Sequence, residues 1–332
     1  MKLKFWIGIA ISLGLLAYLF SMIDFARLWE TIKAVNPYYT AAAGLINLAG
    51  FGVRAVRWRY LMEPVKKRVP LGSLFSATMI GFMANNVLPA RLGEFVRAYV
   101  IGRREDVPKS SAFATVVVER LFDTMSVLLL LIITLVYMPV DISGAGMAGT
   151  LRKAGAASLA AYIVMIAVIA FFVYRPEALG RLARAVTGRF SAKWAGKAGT
   201  LADRFINGLS VVKDPRLLVM ILFYSAVLWG MLILPGWLFF KAFGLDNLGA
   251  YPAVFLLVAA CFSVALPSTP GFVGTFHAGA TGALVLLGVE PGVALGYAIL
   301  LHAISFIPVT LIGLAYLYRE NLTLGGIRKA EA

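Results

Sequence analysis

Apolar residues run through this chain in long blocks rather than in alternation, which is the pattern of buried or lipid-facing helices rather than of half-exposed strands. A helix that crosses a bilayer core needs about 20 predominantly apolar residues. Blocks of about that length run from Phe5 to Ile23, Tyr38 to Met62, Ser110 to Met138, Ser158 to Tyr174, Leu217 to Phe243 and Val293 to Tyr318. The first follows Lys2 and Lys4; its apolar core is long and no small-residue cleavage site follows, so it reads as a retained anchor. Two further apolar stretches are broken near the middle: Leu71 to Arg103 by LPARLG (Leu88 to Gly93), and Gly249 to Gly288 by LPSTPG (Leu266 to Gly271). Proline forbids the backbone hydrogen bond that would continue a helix through either break. Each stretch is therefore a pair of short helices. Leu71 to Asn86 spans roughly 24 Å, less than a hydrocarbon core of about 30 Å, so the economical reading is a re-entrant hairpin.

Composition agrees with a membrane protein: 61% of the 332 residues are hydrophobic, 14% are charged, and mean hydropathy is +0.85. The 31 Lys and Arg against 16 Asp and Glu leave a net charge of +15. Cytoplasmic loops of inner-membrane proteins are enriched in Lys and Arg. With both termini inside and each broken stretch returning to the face it left, most of the basic residues fall on the cytoplasmic side. They include Lys2 and Lys4, the run from Arg54 to Arg68, Arg97 to Lys109, the basic loop 175–216, and Arg319 to Lys329. The opposite face receives Arg27, Lys33, Arg152, Lys153 and Lys241. Positive charge spread over loops beside a bilayer is explained by orientation and anionic lipid, and nucleic acid is not an expected partner. The 175–216 segment is either a basic amphipathic surface helix or a solvated loop. A single cysteine, Cys261, and two histidines, His277 and His302, exclude a disulfide framework and a Cys- or His-rich metal centre.

The two breaks resemble each other, L-P-x-x-x-G in both, each with an apolar run before it and a full span after it. Three full crossings lie between them, so the hairpins enter from opposite faces. The expected fold is an all-α polytopic membrane protein, six full spans plus two oppositely oriented re-entrant hairpins in an inverted repeat. It forms one membrane domain over 1–332, with a first repeat at about 38–138 (hairpin 71–103) and a second at about 217–318 (hairpin 249–288). Irregular backbone at that depth must be buried in protein or line a wet cavity, so both tips are expected to face one. The second helix of each hairpin is expected to begin just past its break, with Pro89 and Pro270 in a first turn and Thr269 as a cap. Two helix N-termini converging beside Arg91 make a candidate anion site.

Ionisable residues inside spans are costly and are functional candidates by default. The first cluster is Asn85, Asn86, Arg91, Glu94 and Arg97. Arg91 and Glu94 are spaced i,i+3 and either meet a head group or form a structural pair; Arg97 is expected to snorkel to the interface. The second cluster is Glu119, Arg120 and Asp123, in which Arg120 reaches Asp123 at i+3, binds substrate phosphate or reaches Glu94 across helices. Paired carboxylates raise the question of acid–base chemistry, but no nucleophile or metal accompanies them. In the second repeat the candidates are Ser268, Thr269, Thr275 and His277, the last either a titrating residue or a packing one. Arg120 and the residues of both tips form the expected substrate-binding set; Glu119, Asp123 and His277 form the expected coupling or ion-pair set.

Three motifs carry a family resemblance: Asn86-x-Leu88-Pro89-Ala90-Arg91-x-Gly93-Glu94-x-x-Arg97, Glu119-Arg120-Leu121-x-Asp123, and Leu266-Pro267-x-x-Pro270-Gly271-x-x-Gly274. With them the chain resembles, over about residues 1–320, the flippase-like membrane domain of the lysylphosphatidylglycerol synthases. The resemblance implies a translocase of an anionic phospholipid or glycolipid in a bacterial or archaeal cytoplasmic membrane, with Arg91, Glu94, Glu119, Arg120 and Asp123 among its functional positions. The sequence departs from the family where Phe272 follows Gly271 instead of a second glycine, and where His277 stands near a family glutamate. No aminoacyl-transferase module occurs in the 332 residues, so a separate lipid-synthesising enzyme is one candidate partner and a second copy of the chain another. No cofactor is implied, and no nucleotide-binding motif is present. The alternatives are a secondary transporter of a small anion, a membrane-embedded lipid-modifying enzyme, and a non-transporting scaffold.

Overall fold

A computed structural model of the chain describes residues 25–88, 92–137, 145–188, 196, 199–200, 210–265 and 269–322. The Phe5 to Ile23 block, Arg91 and Ser268 lie outside the described residues. Among the described residues every regular element is helical: α1 (Phe25–Lys33), α2 (Pro37–Met62), α3 (Leu71–Val87), α4 (Gly93–Glu105), α5 (Lys109–Tyr137), α6 (Ala145–Tyr174), α7 (Pro176–Gly188), α8 (Pro215–Ala242), α9 (Ala250–Ala265), α10 (Thr275–Leu286) and α11 (Pro291–Arg319). Short 3₁₀ turns sit at Ser210–Lys213 and Pro270–Phe272.

Several helix starts are written into the sequence as an acceptor side chain followed by proline. Asn36 accepts from the Tyr38 N–H, Asp214 from those of Arg216 and Leu217, and Glu290 from that of Val293, with Pro37, Pro215 and Pro291 next in line. The apolar blocks and the helices then coincide closely, with one exception. α6 begins upstream of its expected start, at Ala145, and takes in Arg152 and Lys153, which were expected in a loop. The alanine-rich stretch there favours helix and contains no proline to stop it. Part of the basic 175–216 segment is helical as α7, on which Arg181 and Arg184 are exposed.

Among the described residues two helices, Pro215–Ala242 and Pro291–Arg319, are both long and apolar enough to cross a bilayer. α2 and α5 are comparably long but carry Arg54, Arg57 and Arg59, and Glu119, Arg120 and Asp123. Large apolar side chains stand exposed on the long helices, among them Val136, Val164, Phe223 and Leu311, as on surfaces solvated by lipid rather than water.

Both broken stretches are helical hairpins. In the first, α3 and α4 pack against each other, and the Ser73 hydroxyl near the start donates to Glu105 at the end over 2.5 Å. Near its tip the backbones approach so closely that a Cβ at Gly93 would collide with the Gly81 carbonyl oxygen and Asn85. In the second, α9 and α10 meet with equal intimacy, a Cβ at Gly279 colliding with Ser263. Its tip is a 3₁₀ turn in which Gly271 and Gly274 take positive φ (73° and 92°), a region glycine enters without steric penalty.

The halves also share a packing scheme. α2 corresponds to α8, α3 to α9, α4 to α10 and α5 to α11, and each contact in one half has its counterpart in the other: α2–α3 with α8–α9, α4–α5 with α10–α11, α3–α11 with α9–α5. α2 and α8 pack on each other at the centre. The corresponding contacts are not equally developed. α3 lies along α11 from end to end: Ser76 donates to Glu320, a Cβ at Gly313 would strike Met79 and Met83, and Asn86 donates to Thr310. Arg104 adds an ion pair to Glu320 at one end. In the counterpart pair, α9 is tied to α5 by the Tyr251 hydroxyl donating to the Thr134 carbonyl over 2.8 Å.

Candidate functional site

The ionisable residues converge where α2, α4 and α5 meet. Arg54 and Arg57 are one turn apart on α2, and Glu119 and Asp123 one turn apart on α5, so each pair presents both members to the facing helix. Arg57 spans the two carboxylates, with Nη2 3.1 Å from Glu119 and Nη1 2.8 Å from Asp123. Arg54 Nη1 lies 3.3 Å from both. From α4, Arg97 Nη1 reaches the other Glu119 oxygen at 2.8 Å while its guanidinium stacks 3.7 Å over the Trp58 ring. Trp58 in turn donates to Thr115, and Arg57 to Ser225 on α8. Taking an ion from water into a buried site costs several kcal/mol unless partners surround it, and these do.

Two sequence expectations are corrected here. Arg54 and Arg57 were assigned to a basic cytoplasmic segment and Arg97 to the interface, yet all three are buried, at 8%, 0% and 1% exposure. The physical reason is that the carboxylates of α5 compensate them, a partnership between segments that hydropathy cannot register. Trp58, which carries Arg97, is fully buried as well.

Arg120 closes the cluster at its open edge, with its side chain 37% exposed. It bonds Glu119 at 2.9 Å and, at the expected i+3 spacing, Asp123 at 3.0 Å. It also stands 3.8 Å from Glu94 on α4, the cross-helix contact read as one option from sequence. Arg91, expected either to meet a head group or to pair with Glu94, lies outside the described residues. Both tip asparagines are engaged. The Asn85 carbonyl oxygen accepts from the Gly93 N–H at 2.8 Å, capping α4, and the Asn86 amide donates to Thr310 at 2.9 Å.

At the second tip the expected helix start is corrected. Pro270 opens the 3₁₀ turn instead of α10, which starts at Thr275 because the two positive-φ glycines interrupt the path. Thr269 donates to the Val273 carbonyl and Thr275 to the Phe272 carbonyl. His277 Nδ1 accepts from the Gly274 N–H at 3.3 Å, and its ring meets His302 edge-on at 4.8 Å. His302 Nε2 donates to the Gly271 carbonyl at 2.9 Å and packs against Phe276 and Phe306. Among the described residues no group of three or more His, Cys, Asp or Glu side chains is placed to hold a metal ion.

Two cavities connect these features. One, of about 220 Å³, lies between the halves and is walled by Phe51 and Phe82 on one side and Leu256, Ala260 and Phe276 on the other, with Asn47, Asn86 and Ser305 as its polar points. Phe82 also carries Arg54 on its ring, 4.8 Å from the centroid, so a single aromatic side chain separates this apolar space from the ion cluster. The second, about 290 Å³ and more open, lies where the tips meet, between Asn86 and Val87 of the first and Pro270, Gly271 and Val273 of the second. The tips are in direct packing contact: a Cβ on Gly271 would sit 3.4 Å from the Asn86 carbonyl oxygen.

The family model for the lysylphosphatidylglycerol synthase transmembrane region matches residues 5–313, and the chain belongs to that family. It is 26% identical over 332 residues to glycosyltransferase AglD of Haloferax volcanii, covering 92% of this chain and 52% of AglD, so it spans about half the length of that relative. A UPF0104 membrane protein of Methanocaldococcus jannaschii is 24% identical over 318 residues, with 91% of this chain and 89% of the relative covered. Another, from Methanothermobacter thermautotrophicus, is 27% identical over 335 residues, with 95% of each covered. The chain is thus an integral membrane protein.

Proposed function

We propose that this member of the lysylphosphatidylglycerol synthase transmembrane-region family is a lipid translocase that moves an anionic phospholipid or glycolipid between leaflets. The observation that carries this reading is the arginine-rich cluster set against an apolar cavity at the junction of two matched halves: an amphiphile needs one surface for its charge and another for its chain, and they adjoin here at Phe82. Within this reading the fold is six full spans plus two re-entrant hairpins in an inverted repeat, in the cytoplasmic membrane with both termini inside. The return of Glu105 to Ser73 supports re-entry of the first hairpin, since a single crossing would separate them by a bilayer. The paired packing of the halves supports the repeat. Alternating exposure then follows from movement of one half against the other, as in transporters built from inverted repeats. The head group is held at the tips and at the open edge of the cluster, by Arg120, Glu94 and the tip residues Asn85, Asn86, Arg91, Ser268, Thr269 and Thr275. The translocase reading makes the protein a carrier, not an enzyme.

A fluorescent phospholipid in liposomes containing the purified protein, bleached from outside by dithionite, reads out transfer between leaflets. Arg120→Gln is expected to slow protein-dependent transfer by about tenfold or more, the loss of one charge-assisted contact. Transfer at the parent rate in correctly folded Arg120→Gln removes the cluster from the mechanism. A second reading, a membrane-embedded enzyme acting on lipid-linked sugar, is favoured by the name of the AglD relative alone. Product formation in the same liposomes without transfer decides for it.

A further inference from the structure

The ion cluster is not balanced within itself. Arg54, Arg57, Arg97 and Arg120 face Glu94, Glu119 and Asp123, leaving one positive charge in excess among the described residues. Hydrogen bonding is unbalanced in the same sense. Each guanidinium carries five N–H donors and no acceptor, and each carboxylate offers about four lone-pair sites, so donors outnumber acceptors by roughly 20 to 12. The imbalance shows at particular buried atoms: five donors make no aligned hydrogen bond, Arg97 Nε, Nη1 and Nη2, Arg57 Nε and Arg120 Nε, against two acceptors, Glu119 Oε2 and Asp123 Oδ1, each in ion-pair contact with a guanidinium at 2.8 Å. Arg97 is held by charge and by the Trp58 ring rather than by aligned hydrogen bonds. The cluster lacks oxygen atoms carrying one negative charge.

The way in is at Arg120. Its 3.8 Å contact to Glu94 is the longest in a set that otherwise runs from 2.8 to 3.3 Å, and both side chains are partly exposed, at 37% and 22%. Glu94 is therefore the carboxylate held most weakly. It lies one turn from Arg97 on the same face of α4, so oxygens that enter beside it come within reach of Arg97 as well as Arg120.

We infer that this edge binds the phosphodiester of a singly charged lipid head group, which enters between Arg120 and Glu94 while Glu94 stays in the charge balance. This rests on the lipid reading above for the source of the ligand, not for its chemistry. A phosphodiester brings one charge and two unsubstituted oxygens, matching the excess and opening bidentate geometry to Arg. A zwitterionic head group brings its own cation and leaves the excess in place, with that cation beside the arginines. A phosphomonoester or pyrophosphate brings more charge than the cluster lacks.

The test is competitive retention in native mass spectrometry, with protein purified in detergent and offered equimolar phosphatidylglycerol, phosphatidic acid and phosphatidylcholine of identical acyl chains. Phosphatidylglycerol is expected to be retained over phosphatidylcholine by about tenfold or more, and Arg120→Gln to remove that preference. Glu94→Gln, which enlarges the positive excess, is expected to keep the preference over phosphatidylcholine. Glycerophosphoglycerol and inorganic phosphate, tested separately by thermal shift, distinguish the source. Protection by the free head group equal to that of the lipid supports the phosphodiester site but assigns it to a soluble ligand. Equal retention of phosphatidylcholine, or stronger retention of phosphatidic acid, overturns the inference. So does loss of phosphatidylglycerol in a folded Glu94→Gln protein. Failure of the translocase reading is distinct: phosphatidylglycerol retained but not moved in the dithionite assay leaves this site and removes that function.

Discussion

The two hairpins share a design and differ in what fills it. Both are a pair of short helices closed by a glycine against the facing helix, Gly93 on the Gly81 carbonyl in the first and Gly279 on the Ser263 side chain in the second. Both tips reach the same junction. The first is backed by four arginines and their carboxylates, whereas the second is backed by a ring cluster of Phe276, His277, His302 and Phe306 that contains no guanidinium or carboxylate. Symmetry of the scaffold thus does not extend to its chemistry. The difference teaches that the helical frame and the polar centre are separate requirements on the sequence, the frame met twice and the centre once.

Substitutions that probe each side should therefore differ in size. The largest effect is expected at Glu119, which touches Arg54, Arg57, Arg97 and Arg120. Glu119→Gln leaves buried guanidinium groups uncompensated and is expected to destabilise by about 3–5 kcal/mol. Thr275→Val in the second hairpin, losing one hydrogen bond to the Phe272 carbonyl, is expected to cost about 1 kcal/mol. Equal unfolding midpoints for the two variants in detergent would end the distinction drawn between the hairpins. Next come the glycines. Gly93→Ala and Gly279→Ala each overpack a closed contact, at about 1–3 kcal/mol. At Gly279 the obstacle is the Ser263 side chain, so Ser263→Gly should restore much of the loss. At Gly93 the nearest obstacle is a carbonyl oxygen of Gly81, which no side-chain change removes. An additive double-mutant cycle of Gly279→Ala with Ser263→Gly would show that the Ser263 side chain is not what closes the second hairpin. The smallest effect is expected at the caps. Asn85→Ala should cost about 1 kcal/mol through the exposed N–H of Gly93, and His277→Ala, through Gly274, about the same or less. Their unfolding midpoints in the same detergent test both values.

Much of the frame was legible because proline and apolar length speak locally. The interruptions between α3 and α4 and between α9 and α10, the extents of α2, α5, α8 and α11, and the contact of Arg120 with Asp123 all follow from residues close in sequence. The core of the site was not, because its partners lie on different helices. Arg54 and Arg57 follow an apolar run and precede more basic residues, so a rule built on loop charge reads them as cytoplasmic. A signal was present: two arginines at i,i+3 on one long apolar helix, and two carboxylates at i,i+4 on another, are complementary faces waiting to be matched. Arg97 was misplaced for a related reason, since neither its Trp58 platform nor Glu119 is near it in the chain. The start of α10 was missed because proline was taken as the cue, while the conformations of Gly271 and Gly274 set it.

The unequal seams between the halves carry a final consequence. α3 is zipped along α11 from Ser76 and Glu320 to Asn86 and Thr310, while its counterpart is stitched by Tyr251 to Thr134. Within the translocase reading, a body fastened more firmly along one edge is lopsided, and its opposite-facing arrangement is the one with the firm edge exchanged. The Arg104 and Glu320 clasp, exposed and ionic, is the fastening that such an exchange would have to undo first.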